Sequence, residues 1–459
     1  MGVSTTLTLY GGNLSVVTSM SHGKAPKVVR DPVHSDIPLD HRIVALIDTR
    51  EMQRLRHVSQ LGATEHAFPS ATHQRFSHSI GAHHLANVAL GHLSGQHPDK
   101  VNSDDAHLVS IAALVHDIGH PPMSHMMESP TIYATYRNHE EWGRMILSDS
   151  STEINQVLID GVGKAGLARL LSILDGTVDQ PWMSEIVSSQ MDVDRFDYTL
   201  RDSLFTGADI GQFDVHRCLR NLVITDSGRL AIRKKSVAAF ESHLVSRFHM
   251  YHQVYFHKQN LLFQAYIRRA LERARHLAET GELELSSPMA SMLLDTCLDV
   301  QGYLRLVDSS VVEALNEWLN ADDARLRQVA ANILAREDIH SQVRIPDLSD
   351  DIMGRATPWV KGVLAEHGFD VEWDLIIEGV AKAGYVPAGS KGILVEDGRD
   401  LAEHSNIARS MEDGSTTLRM FVPQQVRDEV ERIVAQAAQG VPSTHTFRAS
   451  SSLPIDTGQ

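Results

Sequence analysis

Cysteine is nearly absent: the 459 residues hold two, Cys218 and Cys297, in no paired spacing. That excludes a disulfide framework and a cysteine-rich zinc site, and it points to a reducing compartment. Long apolar runs are also missing. No stretch approaches the roughly 20 apolar residues that a membrane-spanning helix needs. Residues 1–27 are small and polar, without the basic start or apolar centre of a secretory signal. A cytoplasmic protein with no membrane partner is the expectation. Basic charge is in deficit, with 42 Lys and Arg against 58 Asp and Glu and a formal net charge of -16. A nucleic-acid groove would show as a basic patch, so a nucleic-acid partner is not expected. Small polyanions held by a metal and a few arginines fit this balance. What the chain has in excess is histidine, 26 in all, with many between Asp31 and Glu140. Apolar content of 42% is ordinary and sufficient for a real core.

Residues 1–26 are expected to be a flexible tail. Residues 27–37 are β-like, with a turn at Asp31-Pro32. Across residues 43–61 the apolar side chains recur at helical spacing, and Gly62 ends the pattern. Residues 64–77 read as a loop, and 79–94 as a helix with His78 at its N-terminus. Residues 104–115 read as a buried helix, 222–234 as a hairpin, and 237–279 as one or two long helices. Helices continue to about residue 337. Composition shifts near Ile345-Pro346. Beyond it come short strands at 392–395 and 416–422 and an amphipathic helix at 425–439. The expected fold is mainly α, with a helical domain over 27–344. A small α+β module over 345–441 and a polar tail over 442–459 follow it.

The buried helix runs into Leu114-Val115-His116-Asp117-Ile118-Gly119-His120. Burying an unpaired charge is costly, so the adjacent His and Asp call for partners. His116 and Asp117 point about 100° apart on a helix and can reach one ion beside it; His120, one turn on, shares the face of His116. The plainer reading is a helix terminus, with Gly119 as C-cap and Pro121-Pro122 as the stop. Three other clusters bear on the choice: Arg75-Phe76-Ser77-His78-Ser79, His139-Glu140, and Asp192-Val193-Asp194-Arg195-Phe196-Asp197-Tyr198 with Arg201-Asp202. Each also has a plain reading: a helix cap, a solvated helix start, and an acidic face with pairs such as Asp197-Arg201. Together they offer two imidazoles and two carboxylates, a set that suits a divalent transition metal and leaves positions open for water and a phosphate oxygen.

The order His…His-Asp…Asp resembles that of HD-domain phosphohydrolases. The chain is most similar to the deoxynucleoside triphosphate triphosphohydrolases, including the sterile-alpha-motif-and-HD-domain protein, here without a separate sterile-alpha-motif domain. Asp31-Pro32-Val33-His34, Gln53-Arg54-Leu55-Arg56, Gln60-Leu61-Gly62 and Val254-Tyr255-Phe256-His257-Lys258 extend the match. The resemblance implies that His78, His116, Asp117 and Asp194 hold Fe, Mn or Zn, with Mg accompanying the nucleotide. It implies that Arg75 and Arg195 hold phosphates and that His125 protonates the leaving 5′ oxygen, supported by His120, His139 and Glu128. Gln60, Leu61 and Asp202 would grip the sugar, Tyr198 would crowd the 2′ position, and Arg247 and Tyr255 would add substrate contacts. Lys27, Val28, Asp48, Gln53 and Arg56 match an activator site that reads guanine in GTP or dGTP. Arg217, Arg233 and Lys235 match a second nucleotide site beside it. In the family these sites lie between subunits, which implies a homo-oligomer, a tetramer. The chain departs from the family at Glu128, where relatives carry Asp, at Pro121-Pro122-Met123, where they carry Gly-Pro-Phe, and at Ala239, where they carry a polar residue.

The implied reaction converts a dNTP to a deoxynucleoside and intact triphosphate. Two other readings compete: an HD phosphohydrolase acting on an alarmone, a cyclic dinucleotide or a nucleoside monophosphate, and a nucleotide-sensing scaffold with little catalysis.

Overall fold

The computed structural model describes residues 6–10, 13–17, 26–344, 349–387 and 392–439. The composition shift at Ile345-Pro346, much of the 1–26 tail, the end of the 345–441 module and the polar tail lie outside these. Within the expected tail, Thr6–Tyr10 and Asn13–Val17 pair as an antiparallel hairpin. Among the described residues, no helix is long and apolar enough to cross a membrane.

The fold is mainly helical. Its centre is the helix Arg75–Gln96, packed against Ser103–Val115 and Val193–Thr206. Small residues make the close approach possible: Ala82, Ala86 and Ala89 on the first helix and Ala112 and Ala113 on the second are fully buried. Asn102 caps the second helix by accepting from the Asp104 and Asp105 amides. The expected strands at 27–37 form the hairpin Lys27–Asp31 with Ser35–Leu39. The hairpin at 222–234 is present as Leu222–Ile224 with Leu230–Ile232.

Two boundaries differ from the sequence reading. Residues 43–61 do not form one helix: the chain makes His41–Ile47, then Arg50–Arg54, then a tight turn at Leu55–His57. The Thr49 hydroxyl donates to the Leu46 carbonyl at 2.7 Å and competes with the helical ladder. The helix expected over 79–94 begins at Arg75, four residues earlier. Gln74 is extended, and the Arg75 amide donates back to the Val58 carbonyl at 3.0 Å. Arg75 and His78 therefore share a helical face.

The C-terminal residues divide between two cores. Val343, Val360, Met420, Val430 and Ile433 belong to a small separate cluster. Ile376, Ile393, Val395, Leu401 and Phe421 instead join the main core. Leu394–Val395 adds a parallel strand to Leu230–Ile232, while Ser415–Val422 pairs with Ile376–Lys382 and with Ser341–Gln342. Gln190, just before the Asp192 cluster, exchanges two hydrogen bonds with the Val386 backbone, at 2.7 and 2.9 Å.

Candidate metal and nucleotide site

Three chain segments meet at the bottom of a cleft. His78 comes from the first turn of Arg75–Gln96. Asp194 opens Val193–Thr206, where the helix dipole favours a carboxylate. Asp192 fixes that start, accepting from the Arg195 amide at 2.6 Å and the Ser189 amide at 2.7 Å. His116 and Asp117 follow the last residue of Ser103–Val115. The helix stops there, so His120 reaches the site from a turn and not from the helical face expected of it. Gly119 does not act as a left-handed cap: a Cβ there would lie 2.1 Å from the His139 carbonyl oxygen.

The Nε2 atoms of His78 and His116 lie 3.1 and 3.5 Å from Asp194 Oδ1. They lie 3.6 and 3.3 Å from the two oxygens of Asp117. Neither Nε2 makes a directed hydrogen bond, although both are buried. The opposite ring nitrogens are committed. His78 Nδ1 donates to Asp197 Oδ2 at 2.7 Å, and His116 Nδ1 donates to the Ala113 carbonyl at 3.0 Å. A neutral ring protonated on Nδ1 presents a lone pair at Nε2. A cation taking the place of a proton on each Nε2 would meet two lone pairs and two carboxylates, a donor set that fits a divalent metal. The electrostatics agree. Burial opposes charge on His78, but Asp194 and Asp197 outweigh it and push its pKa up to about 10. Against their own burial, Asp194 is held well below the usual carboxylate range by His116 and His78, and Asp117 by Arg75. The pocket favours positive charge at this point.

Behind the centre lies a support that the sequence reading left without a role. Asp197 accepts from His78, from His34 Nε2 at 2.6 Å, and from Arg201 at 2.8 and 2.9 Å. Arg201 also donates to Asp31 at 2.8 Å. The Asp197-Arg201 pair, which the plainer reading of the sequence made part of a solvated acidic face, is fully buried. Gly81 explains how the helix comes so close: a Cβ there would lie 1.9 Å from Asp197 Oδ1. The spacing of Asp194, Asp197 and Arg201, three and then four residues apart, was the available signal.

A second cluster stands at the rim. Glu128 bridges His125 and His139, accepting from each Nδ1 at 2.7 Å. His139 opens the helix His139–Ser148, fixed by an Asn138–Glu141 capping box. His120 stacks on His139, with centroids 4.0 Å apart and 14° between planes. Burial and the Arg75 guanidinium push His120 well below the usual imidazole range, so it stays neutral. Burial opposes ionisation of Glu128, yet hydrogen bonds from His125 and His139 hold it far below the usual carboxylate range.

His125 follows two left-handed residues, Met123 at φ 55° and Ser124 at φ 59°. Asp308 holds this loop: its Oδ1 accepts from the Met123 amide at 2.6 Å and its Oδ2 from the Ser59 amide at 2.8 Å. Asp308 was not found from sequence, because nothing near it marks a contact 185 residues away. Arg75 ties the same parts together, donating to Ser124 Oγ at 2.7 Å and to Asp117 Oδ2 at 2.5 Å.

Gln60, Leu61, Arg75, Arg195, Tyr198, Asp202 and Tyr255 line one cleft of about 430 Å³, with His125 and Asp194 in its wall. Asp202 is fixed by His73 at 2.8 Å and by the Tyr255 hydroxyl at 2.6 Å. Tyr255 belongs to a π turn, Tyr251–Tyr255, between two long helices, a local irregularity frequent at functional sites. Val380 of the C-terminal sheet completes the wall. Arg247 does not line the cleft; it is buried beside it, 5.5 Å from the Tyr251 ring centre.

The residues matched to activator sites lie elsewhere, and none lines the cleft. Lys27, Val28 and Asp48 are exposed. Gln53 Oε1 accepts from Arg56 at 2.8 Å, and Arg56 lies over the Phe76 ring. Arg217 donates to the Lys235 carbonyl at 3.4 Å, and Arg233 donates to Gln96 at 2.6 Å.

Residues 75–202 match the sequence profile of the HD domain, and residues 213–297 match that of the HD associated region. The chain is 32% identical to the uncharacterized protein YwfO of Bacillus subtilis over 314 residues, which is 68% of this chain and 70% of that protein. It is 37% identical to an uncharacterized protein of Methanocaldococcus jannaschii, covering 63% of this chain and 57% of that one. It is 30% identical to the deoxynucleoside triphosphate triphosphohydrolase SAMHD1 of Danio rerio, covering 68% and 54%. The chain thus spans little more than half the length of the last two relatives. A phosphohydrolase of Bacteroides thetaiotaomicron superposes with a TM-score of 0.73 at 26% identity, over 87% of this chain and 100% of that one. With the donor set in place, the chain belongs to the HD-domain phosphohydrolase family, together with its bacterial relative YwfO.

Proposed function

We propose that this chain hydrolyses deoxynucleoside triphosphates to deoxynucleosides and intact triphosphate. One observation carries the reading: an aromatic cleft with a fixed carboxylate, Asp202, opens directly onto the His/Asp centre. A divalent cation of the Fe, Mn or Zn kind, held by His78, His116, Asp117 and Asp194, would supply charge stabilisation and an acidified water at neutral pH. Arg195 and Arg75 face the cleft and stabilise charge that builds on the phosphates. His125 has its Nδ1 on Glu128, which leaves Nε2 to protonate the departing 5′ oxygen. Glu128 balances the imidazolium, and the stacked His120 and His139 keep the group in place. Gln60, Leu61 and Asp202 grip the sugar, and the Tyr198 ring excludes a 2′-hydroxyl. Arg247 lies against the Tyr251 ring and outside the cleft lining, so it is not a direct contact in this reading.

Asp48, Gln53 and Arg56, with Lys27, are the activator contacts in this reading. GTP or dGTP bound there promotes a tetramer and raises activity toward other dNTPs. The experiment is a panel of dNTPs, NTPs, alarmones and cyclic dinucleotides, scored for inorganic triphosphate against pyrophosphate and phosphate, with and without GTP. Triphosphate released from dNTPs alone is the expected result. Equal rates on dGTP and GTP would overturn the sugar selection, and release of pyrophosphate would overturn the reaction. A wild type whose sedimentation and turnover ignore every guanine nucleotide removes the activator site only.

A further inference from the structure

His125, Glu128 and His139 form a compact donor set outside the His/Asp centre. With His120 they bring four ligand atoms within 4.8 Å of one another. An imidazole binds an ion in the plane of its ring. His120 and His139 are stacked 4.0 Å apart and nearly parallel, so they cannot both aim at one ion. His125, His139 and Glu128 remain. Glu128 already touches both imidazoles at 2.7 Å, through separate oxygens. Ligands of one tetrahedral zinc stand about 3.3 Å apart when each lies about 2.0–2.1 Å from the ion. An opening of roughly half an ångström therefore converts two hydrogen bonds into a ligand set.

The set is also reachable. The side chain of His125 is 68% exposed. A second cavity of about 600 Å³ borders the three imidazoles and carries the carboxylates of Glu140 and Asp175 on its walls. Glu140 is exposed, and Asp175 is ion-paired to Arg144. Asp117 and Asp194 also line this cavity, against two cations, Arg75 and Arg144, so its carboxylates outnumber its cations and favour entry of a cation over an anion.

We propose that His125, His139 and Glu128 constitute a second cation site, selective for Zn²⁺, and that zinc bound there silences the enzyme by capturing His125. Two imidazole nitrogens and one carboxylate select zinc over magnesium or calcium, which prefer oxygen ligands. On binding, each Nδ1 exchanges its proton for the ion and the ring takes its neutral Nε2–H form. Zinc-bound and neutral, His125 holds its remaining Nε2 proton too tightly to give it to the departing oxygen, as an imidazolium can. The silencing rests on the proposed role of His125 as the acid; the binding does not.

The test uses the holoenzyme with manganese in the His/Asp centre. It is titrated with Zn²⁺ and separately with Mg²⁺, freed of loose ions by gel filtration, and both metals are counted per chain. One zinc per chain joins without loss of manganese, magnesium does not, and triphosphate release falls in step with zinc occupancy. Glu128→Gln and His139→Ala each lower zinc affinity by more than the roughly 10–100-fold that an outer-shell change costs. Both keep their manganese, which also reports an intact fold. Zinc that enters only by expelling manganese overturns the proposal, as does a zinc held beside manganese equally well by both variants. If zinc binds beside manganese as described but zinc-free protein hydrolyses no dNTP, the site stands while the silencing and the dNTP reading fall together.

Discussion

The two histidine clusters lie side by side and are built in opposite ways. The His78 side chain is fully buried, and that of His125 is 68% exposed. His78 leans on Asp197, which leans on His34 and Arg201, which leans on Asp31. His125 hydrogen-bonds to Glu128 and otherwise has only the ring edges of His120 and His139 beside it, at the end of a loop of left-handed residues. A metal ligand gains from rigidity, because its lone pair must stay aimed whether or not the ion is present. A group that passes a proton to a departing oxygen gains from access to substrate and to water. The contrast in burial follows the contrast between the tasks proposed for them.

The sharpest break in that comparison removes the inner cluster. His116→Ala with Asp117→Ala reduces hydrolysis to background and strips bound Fe, Mn or Zn, while circular dichroism still reports a helical protein. Full activity with full metal content would remove the assignment. Next comes the rim. His125→Ala lowers kcat by roughly 10²–10⁴-fold, the usual worth of a positioned acid, and leaves metal content unchanged. Wild-type turnover would transfer the acid role to His120 or His139.

A smaller effect sharpens the contrast, since it tests the support and not the ligand. Asp197→Asn keeps the shape but can turn an N–H toward His78, freeing the ring to rotate. Metal affinity falls by roughly 10–100-fold, read by competition with a chelator, and activity returns at high metal concentration. If added metal restores nothing, Asp197 does more than orient His78. The smallest effect concerns the rim loop. Asp308→Ala removes two amide partners near His125, and unmade hydrogen bonds of this kind are worth about 1–3 kcal/mol. Turnover falls about tenfold, equivalent to 1.4 kcal/mol, with KM rising because Gln60 and Leu61 sit on the other loop that Asp308 holds. A loss of metal would show instead that Asp308 supports the inner cluster.

Local pattern reaches some of these features and not others. The buried helix read at 104–115, the hairpin at 222–234 and the long helices within 237–279 were legible because their apolar periods and turn signals are local. The break at Asp48-Thr49 was not, since apolar spacing continues across it while the Thr49 hydroxyl and the Gln53 amide take up the Leu46 and Ile47 carbonyls. The helix start at Arg75 was also hidden, because a backbone bond to Val58 sets it.

What the sequence determined by itself is the chemistry on offer: two imidazoles and two carboxylates in a fixed order, a group of further histidines, few cations and almost no thiols. Residue type decides which atoms can hold a metal or move a proton, and that needs no coordinates. Tertiary structure alone decided which of 26 histidines meet, which nitrogen of each ring faces the centre, and which stand in the open. Those facts depend on contacts such as His78 with Asp197 and Met123 with Asp308, between residues 119 and 185 positions apart. Chain neighbours do not encode such distances. They follow from packing three helices closely enough that Gly81 has no room for a Cβ.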